Sequence, residues 1–152
     1  MIEPHVRAAH QSDIPDLESL ERDARGSLTD ARGGARWLAD HPIVAPRWSE
    51  RIAVGGVFVA ELHAEPETHR LIVGFLTLGH RGDVAIVEQV FVEPDARELG
   101  FGDALLAAAT DEARRRGARV FEGEALPGDR DTKNLYERAG ITARLITVST
   151  TL

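Results

Sequence analysis

Val90-Phe91-Val92-Glu93-Pro94-Asp95-Ala96-Arg97-Glu98-Leu99-Gly100-Phe101-Gly102-Asp103-Ala104-Leu105-Leu106 decides how the rest of the chain is read. A β-branched run stops at a proline turn, two glycines follow, and an apolar helix starts at once. A helix that begins this way leaves backbone N–H groups at its N-terminus without intrahelical partners, and its dipole favours negative charge there. A pyrophosphate suits that place. Gly100 and Gly102 are expected to keep Cβ atoms out of the phosphate's approach. A dinucleotide fingerprint would need glycine where Leu105 stands, and no Gly-Lys-Ser/Thr follows, so both of those phosphate loops are excluded. What remains beside the anion site is a plain glycine turn between a strand and a helix.

Upstream, the run Val84–Val92 alternates on two apolar faces. Val84, Ile86, Val90 and Val92 would share one face and Ala85, Val87 and Phe91 the other, which predicts a central strand covered on both sides. Residues 52–62 and 71–78 form two further apolar runs joined by a polar turn at 64–69, a hairpin signal, and a turn at 80–83 leads into the central strand. The chain before them predicts a short strand at 6–9 and a helix capped by Ser12, with Pro15 in its first turn and Ile14, Leu17, Leu20 and Ala24 at helical spacing up to Gly26. A second helical piece runs from about 28 to 40, weakened by Gly33-Gly34 and stopped by His41-Pro42, and 42–51 reads as a loop. Downstream, Leu105, Leu106, Ala109 and Ala113 mark the buried stripe of a helix ending at Gly117. A strand begins at 118–121, a short helix spans 131–139 before Gly140, and 141–148 reads as a last strand.

With 152 residues, 43% hydrophobic and 28% charged, the chain predicts one soluble domain over 1–152 with a core of its own. It has no cysteine, which excludes disulfides, thiolate metal sites and a cysteine nucleophile and fits a reducing cytoplasm. Met1-Ile2-Glu3-Pro4 shows neither a basic leader nor an apolar segment, and no run approaches membrane-span length, so a cytoplasmic protein without membrane or signal segment is expected. A net charge of -7 argues against general nucleic-acid binding and leans towards a cationic or amine-bearing partner.

A second stretch, Asp129-Arg130-Asp131-Thr132-Lys133-Asn134-Leu135-Tyr136-Glu137-Arg138-Ala139-Gly140-Ile141, joins the first in carrying a resemblance. The loop Arg97-Glu98-Leu99-Gly100-Phe101-Gly102 resembles the acetyl-CoA loop of the GNAT N-acetyltransferase superfamily, Arg/Gln-x-x-Gly-x-Gly/Ala after a strand, and the second stretch resembles its Asn…Tyr-x-x-x-Gly helix. The order of strands and helices is similar to the GNAT order along nearly the whole chain. The resemblance implies an α/β fold with a mixed central sheet flanked by helices, and acetyl-CoA as co-substrate with no metal. It further implies direct acetyl transfer to an amine on a small molecule or peptide, and it is compatible with a homodimer. Cofactor contacts are implied at Val90, Phe91, Val92, Arg97, Glu98, Leu99, Gly100, Phe101, Gly102, Asn134 and Tyr136. If the central strand bulges away from its partner, as in the family, a free N–H from 90–92 can polarise the thioester carbonyl.

Two residues are candidates for proton transfer. In the family a tyrosine at the Tyr136 position sits beside the CoA sulfur, where its hydroxyl can hydrogen-bond or protonate the departing thiolate. A Tyr pKa near ~10 exceeds a thiol's ~8.5, so such help comes late in the cleavage. Without the loop, Tyr136 would read as a core residue of an amphipathic helix. Glu88 interrupts an apolar strand, and burial would make its carboxylate costly or raise its pKa towards that of a base able to deprotonate the amine. The family often carries a glutamate on this strand. The other reading pairs Glu88 with an arginine or sets it in a water-filled splay. Gln89, on the opposite face, is expected to satisfy backbone or helix groups.

The remaining candidates carry less. The histidines His5, His10, His41, His63, His69 and His80 show no paired metal spacing and no adjacent carboxylate cluster; His80 could assist proton removal near the cleft. Trp37 and Trp48 read as core, although the family's first helices line its acceptor site. Arg114-Arg115-Arg116 reads as a solvated helix end, with a 3′-phosphate contact as its other reading. Glu98, acidic beside a pyrophosphate, must turn to solvent, and Asp129 stands where the family often has asparagine. Both departures favour a rival, a non-catalytic acyl-CoA-binding protein, and an acyltransferase for a longer chain is the second rival. The acceptor is not legible.

Overall fold

The computed structural model describes residues 3–64 and 69–152, so residues 65–68 of the expected hairpin turn lie outside the described residues. Strands β1 (His5–Ala8), β2 (Val57–Ala64), β3 (His69–Arg81), β4 (Val84–Val92) and β5 (Val120–Gly123) form one sheet in that order. The first four are antiparallel neighbours, and β5 runs parallel to β4. A parallel neighbour needs a long crossover. Helix α4 (Phe101–Arg115) supplies it.

Two apolar layers cover the sheet. Leu105, Leu106, Ala109 and Ala113 of α4 bury against Leu76, Leu78, Ala85 and Val87, as the helical spacing predicts. On the other face Leu17, Leu20 and Ala24 of α1 (Ile14–Gly26) pack with Val57, Val59, Phe75 and Trp48. A buried side chain of this size contributes about 1.5–3 kcal/mol, so these two stripes hold both helices to the sheet. Among the described residues, no helix is long and apolar enough to cross a membrane.

Strict alternation fails at two points. Thr77 pairs with Gln89 while Leu78 pairs with Val87, so Glu88 is an extra residue, a β-bulge on β4. Beyond it the faces exchange. Ala85, Val87, Val90 and Val92 lie on the α4 side, whereas Phe91 turns to the α1 side, which corrects the expected grouping. Val73 is the corresponding extra residue on β3.

Other boundaries differ for local reasons. Asp13, not Ser12, organises the start of α1, because its carboxylate accepts the His10 N–H at 2.7 Å. The second helical piece shortens to α2 (Gly34–Asp40), entered through Gly33 at φ 79°, a backbone angle that favours glycine. The expected loop 42–51 and the start of the expected strand at 52 are in part helix α3 (Trp48–Val54), which places Trp48 against Phe75. The crossover after α4 reaches β5 two residues later than expected, at Val120, and α5 (Arg130–Arg138) stops before Gly140. Residues 141–148 are not a strand. Strand propensity needs a partner ladder, and here Leu145, Ile146 and Val148 stand exposed without one among the described residues.

Candidate active site

β4 and β5 stay paired only from Val84↔Val120 to Val87↔Gly123 and then part. The gap widens into a cleft of about 860 Å³, within the roughly 300–1,000 Å³ typical of small-molecule sites. One wall is β4 from Ile86 to Val92. The floor is the loop and first turn of α4, the far wall is the 124–136 segment, and Trp37 and His41, stacked at 4.2 Å, stand at the α1–α2 side. Glu93 N–H donates to Val73 O at 2.8 Å. Since ladder bonds alternate, Val90 and Val92 turn their backbone groups towards the gap, and Val92 O there accepts Arg97 Nε at 2.9 Å.

After a single turn at Pro94–Ala96 the loop reaches α4 through two left-handed residues, Glu98 at φ 66° and Gly100 at φ 89°. A non-glycine residue held there costs on the order of 1–3 kcal/mol and persists only where surroundings enforce it. Arg97 supplies that enforcement: it holds Val92 O, donates to Asp131 Oδ2 at 2.9 Å and covers the Phe91 ring. The Glu98 side chain is exposed, as its charge requires. α4 has no side-chain cap, and Ala104 makes the first bond back to Gly100 O, so its opening amides face the cleft mouth.

The glycines also answer to the protein's own packing. A Cβ on Gly100 would point at Pro4, at 3.2 Å, and one on Gly102 would meet Leu135 of α5 at 3.3 Å. Gly100 supplies the backbone angle and Gly102 the close approach of α4 to α5.

Glu88 is not buried. Its side chain is 46% exposed at the bulge and faces Arg51 Nη2 at 3.4 Å. Arg51 is itself anchored on Gly55 O and Leu78 O, so it fixes the carboxylate from a distance without enclosing it. Gly79 makes the room: a Cβ there would stand 2.0 Å from Glu88 Oε1. Gln89 points the other way and donates to Glu21 Oε2 at 2.8 Å, as expected of it. Glu21, wholly buried on α1, also accepts Val44 N–H at 3.0 Å, a tie between α1 and the following loop that sequence patterning did not reveal.

Tyr136 lies buried on α5 with its ring over Gly123, where a Cβ would meet the hydroxyl at 2.1 Å. Burial pushes its pKa well above the ordinary value, and the charges of Asp129 and Glu124 push the same way. The hydroxyl makes no hydrogen bond among the described residues and lines the cleft opposite β4. Asn134 is exposed on the same helix at the cleft. Asp129 caps that helix, accepting Thr132 N–H at 3.2 Å.

The cleft therefore gathers Glu88, Val90, Phe91, Val92, Arg97, Glu98, Gly100, Phe101, Gly102, Asn134 and Tyr136; the Leu99 side chain stays outside. His80 does not join them, lying near Glu112 on the α4 side. The three arginines stand at the far end of α4, about 22 Å from its N-terminus, bound to Asp111 and Glu112. Trp48 is core, with Phe75 edge-on at 5.9 Å, whereas Trp37 lines the cleft. Gly79 and Gly123 were missed because only long-range packing shows what they admit. His5, Glu61 and His63, at the other end of the sheet, form a group the histidine spacing did not disclose.

Comparison with known proteins agrees with this geometry. Residues 17–141 match the acetyltransferase (GNAT) family model. An uncharacterised N-acetyltransferase of Methanocaldococcus jannaschii is 29% identical over 101 residues, 62% of this chain but only 42% of that relative. The aminoglycoside N-acetyltransferase AAC(6')-Iy in complex with CoA superposes with a TM-score of 0.66 at 18% identity, over 97% of this chain and 100% of that one. Glucosamine-6-phosphate N-acetyltransferase from Arabidopsis thaliana superposes with a TM-score of 0.61 at 15% identity, over 98% of each chain. With the family model covering most of its length, the parted β4–β5 pair, the glycine loop and the crossover helix place the chain in the GNAT acetyltransferase family.

Proposed function

We propose that the protein moves an acetyl group from acetyl-CoA directly to an amine on a small molecule or peptide. The pyrophosphate would rest on the amides of Leu99, Gly100, Phe101 and Gly102, with Arg97 holding the loop and Asn134 beside the pantetheine arm. The thioester would extend along the free backbone edge of Val90 to Val92, whose outward N–H groups are preorganised donors for a developing oxyanion. The observation that carries this reading is the parting of β4 from β5 after Val87 and Gly123, which opens directly onto the first turn of α4.

In the reaction the amine nitrogen attacks the thioester carbon, the C–S bond breaks and the sulfur leaves as a thiolate. An amine is mostly protonated at neutral pH, so a proton must first go to a base. Glu88, exposed at the cleft wall and held by Arg51, is placed for this directly or through water. Tyr136 faces it from α5. Burial keeps its proton on, so it donates a hydrogen bond to the thiolate and gives up the proton only late in bond breaking.

An assay of thiol release across a panel of amine acceptors tests the reading. Release that requires both acetyl-CoA and an amine is the expected result. Binding of acetyl-CoA without release from any amine would instead support an acyl-CoA-binding protein.

We also infer a homodimer. β5 pairs only with β4 among the described residues, which leaves its other edge for a second copy to pair with, and Leu145, Ile146 and Val148 further along the chain are exposed apolar side chains that a second copy would cover. Sedimentation at rising concentration should show a dimer, and a monomer throughout would contradict it.

A further inference from the structure

At the β1–β2 edge, far from the parted strands, two buried carboxylates share one guanidinium. Asp13 accepts Arg7 Nη1 at 2.7 Å and Nη2 at 2.9 Å, and Arg7 Nε donates to Glu61 Oε1. Glu61 is 2% exposed and Asp13 is also buried. Two negative charges against one positive leave a net negative charge in a desolvated place, and buried charge is normally paired or metal-bound. The oxygen that Arg7 does not reach is Glu61 Oε2. It faces His5 Nδ1 at 3.1 Å and His63 Nε2 at 3.3 Å.

The sheet makes this convergence. His5 is the direct cross-strand partner of Glu61, and His63 follows Glu61 by two residues on the same face. The three candidate ligand atoms lie within 4.8 Å of one another. A tetrahedral ion with bonds of about 2.0–2.2 Å sets its ligands roughly 3.3–3.6 Å apart. The two N–O separations, 3.1 and 3.3 Å, lie close to that range. The rings are tilted by 43° with centroids 5.2 Å apart, and both histidines are about half exposed, so small ring movements close the third edge. Arg7 on the other carboxylate oxygen orients the ligand, as partners behind a metal ligand commonly do.

We propose that His5, Glu61 and His63 bind one divalent cation of the zinc class, with water completing the coordination. Two imidazoles and one carboxylate suit late first-row ions and not magnesium or calcium, which prefer all-oxygen sites. The ion would clip β1 to β2 and supply the positive charge that Arg7 alone does not.

The test is calorimetric titration of Zn2+ into chelator-treated protein, alongside Co2+ titration read by the visible bands of a four-coordinate ion. One Zn2+ per chain is expected, with a raised melting temperature. His63→Ala should weaken binding by about tenfold or more, and His5→Ala/His63→Ala should abolish both the heat and the Co2+ bands. Both histidines are half exposed, so their variants keep the fold, and circular dichroism checks it. No saturable binding to wild type, or equal binding by the double variant, would overturn the proposal. Unchanged Zn2+ affinity for a His10→Ala control is the further expected result, since His10 is outside the group.

Discussion

The two ends of the sheet are built on opposite terms. At the β1–β2 edge Arg7 clamps Asp13 and Glu61, and the exposed histidines take the remaining carboxylate oxygen. At the β4–β5 end the ladder stops after four pairs, the backbone edge is left free, and two glycines hold space for Glu88 and Tyr136. At one end Arg7 already engages both carboxylates and only the His5, Glu61 and His63 group is open to an ion; at the other a whole backbone edge is left for a ligand. Substitution at the first end should therefore be read in stability, and at the second in rate.

The largest expected effect is on rate. Glu88→Gln should cut turnover by roughly 10²–10⁴, with CoA affinity near wild type. Tyr136→Phe should lower kcat and kcat/KM together and leave KM for acetyl-CoA unchanged, while stability falls by no more than about 1 kcal/mol. Wild-type rates in both variants would leave Glu88 as the partner of Arg51 and Tyr136 as a core side chain.

Arg7→Leu reverses the pattern. It strands two buried carboxylates and should cost about 3–5 kcal/mol in denaturant unfolding, with CoA binding intact in the folded fraction. The Arg7 hydrogen bonds hold Asp13 below the ordinary carboxylate range. Burial opposes the same shift at Glu61, where hydrogen bonds from Arg7 and the histidines outweigh it. Lowered folded values mean stability that is present above the unfolded pKa near ~4 and lost as pH falls through the lower folded values. The variant should show a shallower loss between those limits; an equally steep one would contradict the clamp.

The glycines separate the two walls of the cleft more finely. Gly123→Ala drives a Cβ into the buried Tyr136 ring and should cost about 1–3 kcal/mol by overpacking. Gly79→Ala meets only the mobile end of Glu88, so it should slow turnover with little change in melting temperature. Equal stability losses would mean that both walls are packed alike.

The smallest expected effect is spectroscopic. Tyr136 is the one tyrosine in the chain, so ultraviolet titration reports it alone. Its midpoint should lie above the ordinary ~10, because burial favours the neutral hydroxyl. The corresponding stability is present below the unfolded value and lost as pH rises through the folded one. An ordinary midpoint would mean that the hydroxyl is solvated.

The loop, α4 and α5 were legible because glycine, proline and apolar spacing act within a few residues. The face exchange in β4 was not, since nothing local distinguishes the extra residue at Glu88 from a regular one. Burial of Glu88 was expected from its apolar neighbours, and the bulge overrules that pattern. Residues 141–148 have strand propensity but no ladder among the described residues, so tertiary context decides against them. α3 lay behind Pro42 and Pro46, which made the whole stretch read as loop. The His5, Glu61 and His63 group depends on register between strands more than fifty residues apart, which periodicity cannot supply.

The central claim is that CoA docks on the first turn of α4 beside the free edge of β4. Titration of acetyl-CoA into 15N-labelled protein, followed by amide chemical shifts, tests it most directly. The largest saturable changes should fall on Leu99, Gly100, Phe101 and Gly102, followed by Val90 and Val92, with β1 and β2 unmoved. Saturation that leaves those amides in place, or no saturation at all, would contradict it.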